Sequence, residues 1–367
     1  MSGINVDVMV DDLGRLVRCE SPSSDLAALS RSADVVAELG TRLTGVEPER
    51  IELSGRPHLR WRFGAGDQVL LLGHHDTVWP VGSLAEHPWR VEDGRAYGPG
   101  CFDMKAGLVQ LFHAVAALPS PDGISVLVSA DEELGAPTSR QLIQDEARRV
   151  RAALVLEGSA DGGLLKTARK GISQYVLRVH GRAAHAGLEP WRGVNATVEL
   201  AHQVLALAAL DAGPQGATVT PSLISGGTAA NTVPAEASVH VDVRVPSVAE
   251  QDRIRAAIHA LEPRLDDARL EVTDGPAHPP LEPTASAELY ALAEKVAGEL
   301  GLAALGSAHV GGGSDGNLTA GVGTRTLDGL GAVGGNAHAP GEHVVVEEMP
   351  ARAALLEGLL RRLLVVG

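Results

Sequence analysis

The chain has 367 residues, with 46 acidic against 31 basic side chains, a formal charge of −15. That balance argues against a nucleic-acid binder, whose phosphates would be repelled, and against an anionic membrane surface as partner. With 44% apolar and 21% charged residues the composition is globular rather than disordered, and the length admits two or three domains.

Residues 26–45 show helical apolar spacing. The run QVLLL (68–72) predicts a buried parallel strand. Residues 104–118 read as a helix with Asp103 at its N-cap. ISVLVSA (124–130) and AALVL (152–156) are further buried strands, separated by an amphipathic helix over 137–150. Alternating strands and helices predict a mostly parallel sheet with helices on both faces. The texture changes after Lys170. Strands 172–180, 217–224, 236–245 and 269–273, with helices 194–210 and 248–261, give the order βαββαβ, the ferredoxin-like pattern. A proline-rich hinge over 275–283 then leads to helices 289–300 and 347–364. The predicted architecture is α/β: a mixed, mostly parallel catalytic domain (1–170 plus 276–367) carrying an inserted ferredoxin-like α+β domain (171–275).

In an open α/β sheet, ligands bind beyond the carboxyl ends of the strands. There QVLLLG meets His74-His75-Asp76, ISVLVSA meets Asp131-Glu132-Glu133, and AALVL meets Glu157; Asp103 follows the glycine-rich GPGCF. So many carboxylates repel one another unless something positive sits among them, and a divalent metal is the simplest answer. Imidazole with carboxylate suits Zn²⁺, with Co²⁺ or Mn²⁺ as alternatives. Two metals normally share a bridging carboxylate and together activate one water. His74 and Asp76 share one face of an extended segment, which lets Asp76 orient a ligand histidine; His75 points away and reads as a packed or exposed histidine.

The ordered segments LLLGHHDTVWP, YGPGCFDMKAG, SADEELGAPTS, LVLEGS, GRAAHAG, GGTAANTVPAEA, DVR, GGGSDGN and NAHAPGEH resemble those of the co-catalytic zinc exopeptidases and aminoacylases. That family includes glutamate carboxypeptidase, acetylornithine deacetylase and succinyl-diaminopimelate desuccinylase; the first branch is nearest, and the likeness spans essentially the whole chain. The resemblance implies that His74 and Glu157 hold one metal, Glu133 and His338 the other, and Asp103 both. It implies that Asp76 orients the first ligand, that Glu132 is the general base, and that His185 steadies the oxyanion. Asn231 and Arg244 would hold the substrate carboxylate, and the glycines around Gly312 would let backbone approach it. The inserted segment would be the lid and homodimerisation domain. Without the resemblance, His185 reads as a loop histidine and Arg244 as an exposed ion-pair partner. Ala277-His278-Pro279-Pro280 departs from the arginine that glutamate carboxypeptidases tend to carry before the proline pair, which speaks against a strict preference for C-terminal glutamate.

The expectation is a hydrolase of an amide bond beside a free carboxylate, in a small peptide or N-acyl amino acid. Two rivals remain open. Gly312-Gly313-Ser314-Asp315-Gly316 fits G-x-S-x-G, with Asp328 and His338 following in serine-hydrolase order. A catalytically inactive binding protein on the same fold is the other. Gly329–Gly334 fits G-x-G-x-x-G but lacks the following helix and acid of a nucleotide site. Cys19 and Cys101 are too few for a disulfide framework, Cys101 reading as a small hydrophobe. The early acids and lack of an apolar run predict neither signal peptide nor membrane helix, hence a cytoplasmic location.

Overall fold

A computed structural model of the chain describes residues 4–213 and 215–364; residues 1–3, 214 and 365–367, which the expected domain boundaries include, lie outside the described residues. Two compact units are formed. One runs to Ala168 and resumes over Leu281–Val310 and from Ser314 on; the other comprises Arg169–Pro280 and Gly311–Gly313.

The first unit is built on a six-stranded sheet in the order Glu49–Leu53, Arg56–Phe63, Ile124–Ser129, Val69–His74, Ala152–Val155, Arg325–Leu327. The last four strands are parallel, as expected. The first two form an antiparallel hairpin added to the Ile124–Ser129 edge. Its turn, Ser54-Gly55, has positive φ at both positions (53° and 76°), the primed geometry that matches strand twist. The apolar runs are continuous because both sheet faces are covered. Val69, Leu71, Val126, Val128 and Leu154 face the larger core, against helices Val6–Arg18, Leu26–Thr44, Ala106–Ala116, Pro283–Leu300 and Glu348–Leu364. Leu70, Leu72, Leu127, Ala153 and Val155 face the other, with Ile143 and Ala147 of helix Arg140–Arg148 and with Leu318.

Close approach fixes the Leu156–Glu157 segment. A Cβ on Gly107 would lie 2.0 Å from the Leu156 carbonyl oxygen, and one on Gly331 2.1 Å from the same atom. A small antiparallel sheet, in the order Gly334–Gly335, His343–Val345, Arg95–Tyr97, Arg90–Glu92, sets the chain around residues 98–103 beside the chain around 336–342.

The second unit has the expected element order: Gly171–His180, helix Ala196–Ala208, Thr218–Gly226, Glu236–Val245, helix Val248–His259 and Arg269–His278. All strands are antiparallel, with Thr218–Gly226 and Arg269–His278 at the edges. Tyr175, Leu177, Val179, Val239, Val241 and Val243 form its own core with Leu200, Leu207, Ile254 and Ile258. Asn195 caps the first helix, its Oδ1 accepting from Thr197 N at 3.0 Å and Val198 N at 3.2 Å.

Two expectations are corrected. Asp103 is not a helix cap: the helix begins at Ala106, and Asp103 lies in a non-helical turn with φ −117° and ψ 96°. Its carboxylate is engaged by imidazoles instead. The proline-rich segment is not a hinge from residue 275, because the last strand continues through a bulge to His278, and the next helix starts at Pro283, where proline needs no donor.

Candidate metal centre

His74 ends strand Val69–His74, and its ring is 1% exposed. Nδ1 lies 3.0 Å from the Asp76 carbonyl, which fixes it as the donor and leaves Nε2 as the ligand atom. Nε2 makes no hydrogen bond of proper geometry, although it lies 3.2 Å from Asp103 Oδ1, 3.4 Å from Glu157 Oε1 and 4.0 Å from Glu132 Oε2. Across Asp103, His338 Nε2 lies 3.2 Å from Asp103 Oδ2 and 3.1 Å from Glu133 Oε2. Glu133 Oε1 is also buried without a partner. His338 is held at φ +62°, a left-handed conformation that costs a non-glycine residue free energy.

The result is two triads that share one aspartate, His74–Asp103–Glu157 and Asp103–Glu133–His338, the donor atoms of each lying within 4.8 Å of one another. Like charges at ~4 Å repel by about 4 kcal/mol even at an effective dielectric of 20, so the cluster needs a counter-charge. The protein shows the strain in its proton affinities. Burial opposes a charged His74, yet Asp103, Asp76 and Glu157 outweigh it and hold the ring's pKa well above the ordinary histidine value. Hydrogen bonds to Asp103 and Glu133 push His338 up to about 10. Burial raises Glu132 far and Glu133 less. Burial resists a charged Asp103, but the two imidazoles hold its carboxyl well below the usual carboxylate range. One orphaned atom in each triad, His74 Nε2 and Glu133 Oε1, amid hard oxygen and imidazole ligands fits divalent ions in the protons' place.

Asp76 is fully buried and holds the assembly from behind. Its Oδ1 accepts from Glu132 N at 3.2 Å, and Oδ2 from Glu133 N at 3.3 Å and Ser23 Oγ at 2.7 Å. Burial works against its charge, while His74 and Ser23 lower its pKa. His75 is packed: Nε2 donates to the Pro57 carbonyl at 3.0 Å, Nδ1 meets Ser32 Oγ at 3.2 Å, and burial lowers its pKa to about 4. Cys101 is fully buried and belongs to neither triad.

Two buried acids were not singled out for a role in the sequence. Asp315 accepts from Ser129 Oγ at 2.9 Å, and burial raises its pKa to about 7. Glu342 takes four N–H donors around the Asp103 turn. The motifs GGGSDGN and NAHAPGEH contain them, but only buried side-chain contacts reveal what they do.

His185, Asn231, Arg244 and Gly312 belong to the second unit. His185 Nδ1 accepts from Gly187 N at 3.0 Å and Leu188 N at 3.1 Å, so the ring proton sits on Nε2. The His185 and Asn231 segments are joined, Ala186 N donating to the Asn231 carbonyl at 2.9 Å. Arg244 makes a forked ion pair with Asp242, Nε to Oδ1 at 2.7 Å and Nη2 to Oδ2 at 3.1 Å, the ordinary alternative for this residue. The Gly312 and Gly313 carbonyls each accept from Arg169 Nη1 at 3.1 Å. A Cβ at Gly312 would meet nothing within 4 Å, so packing does not require glycine there.

The serine constellation does not form. Ser314 Oγ donates to Asp328 at 2.6 Å and caps helix Asp315–Gly321, while His338 faces Asp103 and Glu133.

Fold and site define a metal-dependent α/β hydrolase. Residues 70–362 match peptidase family M20/M25/M40, and the chain belongs to that family. It is 30% identical over 276 residues to carboxypeptidase G2 of Pseudomonas sp. (strain RS-16), covering 72% of this chain and 66% of that one. It is 31% identical over 350 residues to succinyl-diaminopimelate desuccinylase of Xanthomonas euvesicatoria pv. vesicatoria (strain 85-10), covering 88% and 91%. The fold is similar to that of aminopeptidase PepT from Bacillus cereus ATCC 10987, with TM-score 0.78, 21% identity and coverage of 98% and 99%.

Proposed function

We propose that the chain hydrolyses an amide bond adjacent to a free carboxylate, in a small peptide or an N-acyl amino acid. The observation that carries this reading is the pair of triads sharing Asp103, with Glu132 beside them. His74, Asp103 and Glu157 would hold one divalent ion, and Asp103, Glu133 and His338 a second, most simply Zn²⁺, with Co²⁺ or Mn²⁺ as alternatives. When bound, such ions polarise an amide carbonyl and lower the pKa of a water toward ~7.

The chain's own residues supply the rest. Glu132, its basicity raised by burial, accepts a proton from the attacking water and returns it to the departing amine nitrogen. Asp76 keeps Glu132, Glu133 and His74 in mutual position. His185 donates from Nε2 to the oxygen that gains charge. Asn231 and the Gly312 backbone contact the substrate carboxylate; Arg244 joins them by exchanging Asp242 for it.

A second copy of the chain is the proposed partner. The edge strand Thr218–Gly226 exposes Leu223 and Ile224, 70% and 59% accessible, and the neighbouring helix exposes Leu205 at 70%. An unpaired strand edge bearing apolar side chains is a surface for pairing with an identical edge.

The test is chelation followed by reloading with zinc, cobalt or manganese, with hydrolysis measured on dipeptides and N-acyl amino acids of varied C-terminal residue. Activity lost with EDTA and restored by metal supports the reading. Hydrolysis indifferent to chelation, or substrates cleaved equally without a free carboxylate, would refute it.

A further inference from the structure

Glu342 is 3% exposed, yet it belongs to neither triad. Its Oε1 accepts from the backbone N–H of Phe102 at 2.9 Å and of Asp103 at 3.0 Å. Its Oε2 accepts from Gly100 N at 2.9 Å and Trp79 Nε1 at 2.7 Å. The Glu342 carbonyl in turn accepts from Gly98 N at 3.4 Å. Four N–H donors on two oxygens fill a carboxylate, and only a carboxylate offers acceptors alone on both atoms.

The position of this residue is what makes it consequential. It lies four residues after His338 and immediately before strand His343–Val345, whose neighbour is Arg95–Tyr97, the strand that feeds the Asp103 turn. The ligands of the large sheet, His74, Glu133 and Glu157, follow strands fixed by two cores. Asp103 stands in the turn between strand Arg95–Tyr97 and helix Ala106–Ala116, and His338 in the turn between strands Gly334–Gly335 and His343–Val345. Glu342 ties one turn to the other through the peptide N–H of Asp103 itself.

We propose that Glu342 is a positioning residue for the metal centre: it fixes Asp103 relative to His338, so both triads depend on a side chain that binds no ion. This rests on the metal reading above. Because Asp103 is common to the two triads, loosening its turn weakens both ions together, whereas loss of His338 or of Glu157 weakens one.

The experiment compares wild type, E342Q and W79F, each stripped with chelator and titrated with Co²⁺. Affinity is read from competition with a chromophoric chelator, and geometry from the visible absorption of the bound cobalt. Thermal unfolding of the metal-free proteins reports folding separately. In E342Q the amide nitrogen faces N–H donors and half the clasp is lost. Both cobalt ions should bind at least tenfold more weakly, the range typical when the support of a ligand is removed, with an altered cobalt spectrum in a protein that still unfolds cooperatively. W79F removes one donor to Oε2 and leaves the three backbone bonds; it should weaken both ions in the same direction, by less. E342Q with wild-type affinity for both ions, or with one site weakened alone, overturns the proposal. If E342Q does not fold, W79F decides, and unchanged affinities there overturn it. A wild-type chain that binds no cobalt overturns the metal reading as well, so the two failures are distinguishable.

Discussion

The Asp76 carboxylate accepts the backbone N–H of Glu132 at 3.2 Å, and the same residue's carbonyl faces the ring N–H of His74. One buried residue therefore sets both a metal-facing imidazole and the turn that carries the proposed base. Asp76→Ala removes the carboxylate, which holds the Glu132 and Glu133 N–H groups and lies 3.4 Å from His74 Nδ1, while keeping the backbone carbonyl and every donor of the two triads. Metal affinity should fall by about 10–100-fold, and turnover should remain low even at saturating metal, because Glu132 is no longer held. Full activity on adding excess metal would limit Asp76 to supporting His74.

Glu132 lies 4.0 Å from His74 Nε2 and outside both triads. Glu132→Gln keeps the size of the side chain and removes its ability to accept a proton. Metal content, measured by elemental analysis, should match wild type, and kcat should drop by ~10²–10⁴, the usual contribution of a positioned base. Turnover within threefold of wild type would remove Glu132 from that role.

How much of this was legible in the sequence follows from where the information lies. The buried strands announced themselves as apolar runs, and the acids at their ends marked the centre, because a parallel sheet places its ligands there. The βαββαβ order of the second unit was equally visible from period-two alternation in GISQYVLRVH and EASVHVDVRV. The hairpin Glu49–Phe63 was missed, since Arg56–Phe63 mixes polar and apolar residues and the edge strand Glu49–Leu53 beside it is largely charged. Asp103 looked like a helix cap because Asp before an apolar helix usually is one; only the small sheet, made of two- and three-residue strands too short to give a pattern, shows why it turns toward two histidines. Arg244 could be an ion-pair partner or a substrate ligand from sequence alone; its partner Asp242 lies two residues earlier in the same strand, on the same face.

Loading the site with metal should release protons. His338 is raised to about 10 and His74 is shifted in the same direction, so the metal-free rings favour the cationic form, holding extra protons on the nitrogens that face the site. An ion must displace them, and calorimetry in buffers of different ionisation enthalpy should detect at least one proton released, with affinity falling as pH falls. The same shift governs metal-free stability. A raised folded pKa stabilises the fold fully below the unfolded value of ~6.5, and the contribution is lost as pH rises through about 10. The Tm of the chelated protein should therefore decline between those limits, less so in His338→Gln. Identical pH profiles for the two proteins would contradict the assignment.

The apolar edge of the second unit predicts its own assay. Leu223→Lys places a charge on the exposed face of strand Thr218–Gly226, where charge is the usual guard against edge pairing. Light scattering coupled to size exclusion should show a dimer for wild type and a monomer for the variant, with the thermal transition of the unit's core little changed because Leu223 is 70% exposed. A wild-type chain that is monomeric at tens of micromolar would refute the pairing.

Ser314 separates the metal reading from the serine rival. Its hydroxyl donates to Asp328 at 2.6 Å and accepts from Gly316 N at 3.1 Å, so it caps a helix and satisfies a buried acid. Neither contact leaves it beside a base: His338, third in the expected order, is 3.2 Å from Asp103 and 3.1 Å from Glu133. Ser314→Ala deletes a cap and a buried hydrogen bond to a carboxylate, together a cost of about 1–3 kcal/mol. Denaturant titration should show that loss, whereas kcat of the metal-loaded protein should stay within a few-fold of wild type at a temperature where both are folded. A serine nucleophile predicts the opposite: stability nearly intact and turnover abolished, with covalent labelling of Ser314 by an organophosphate in wild type.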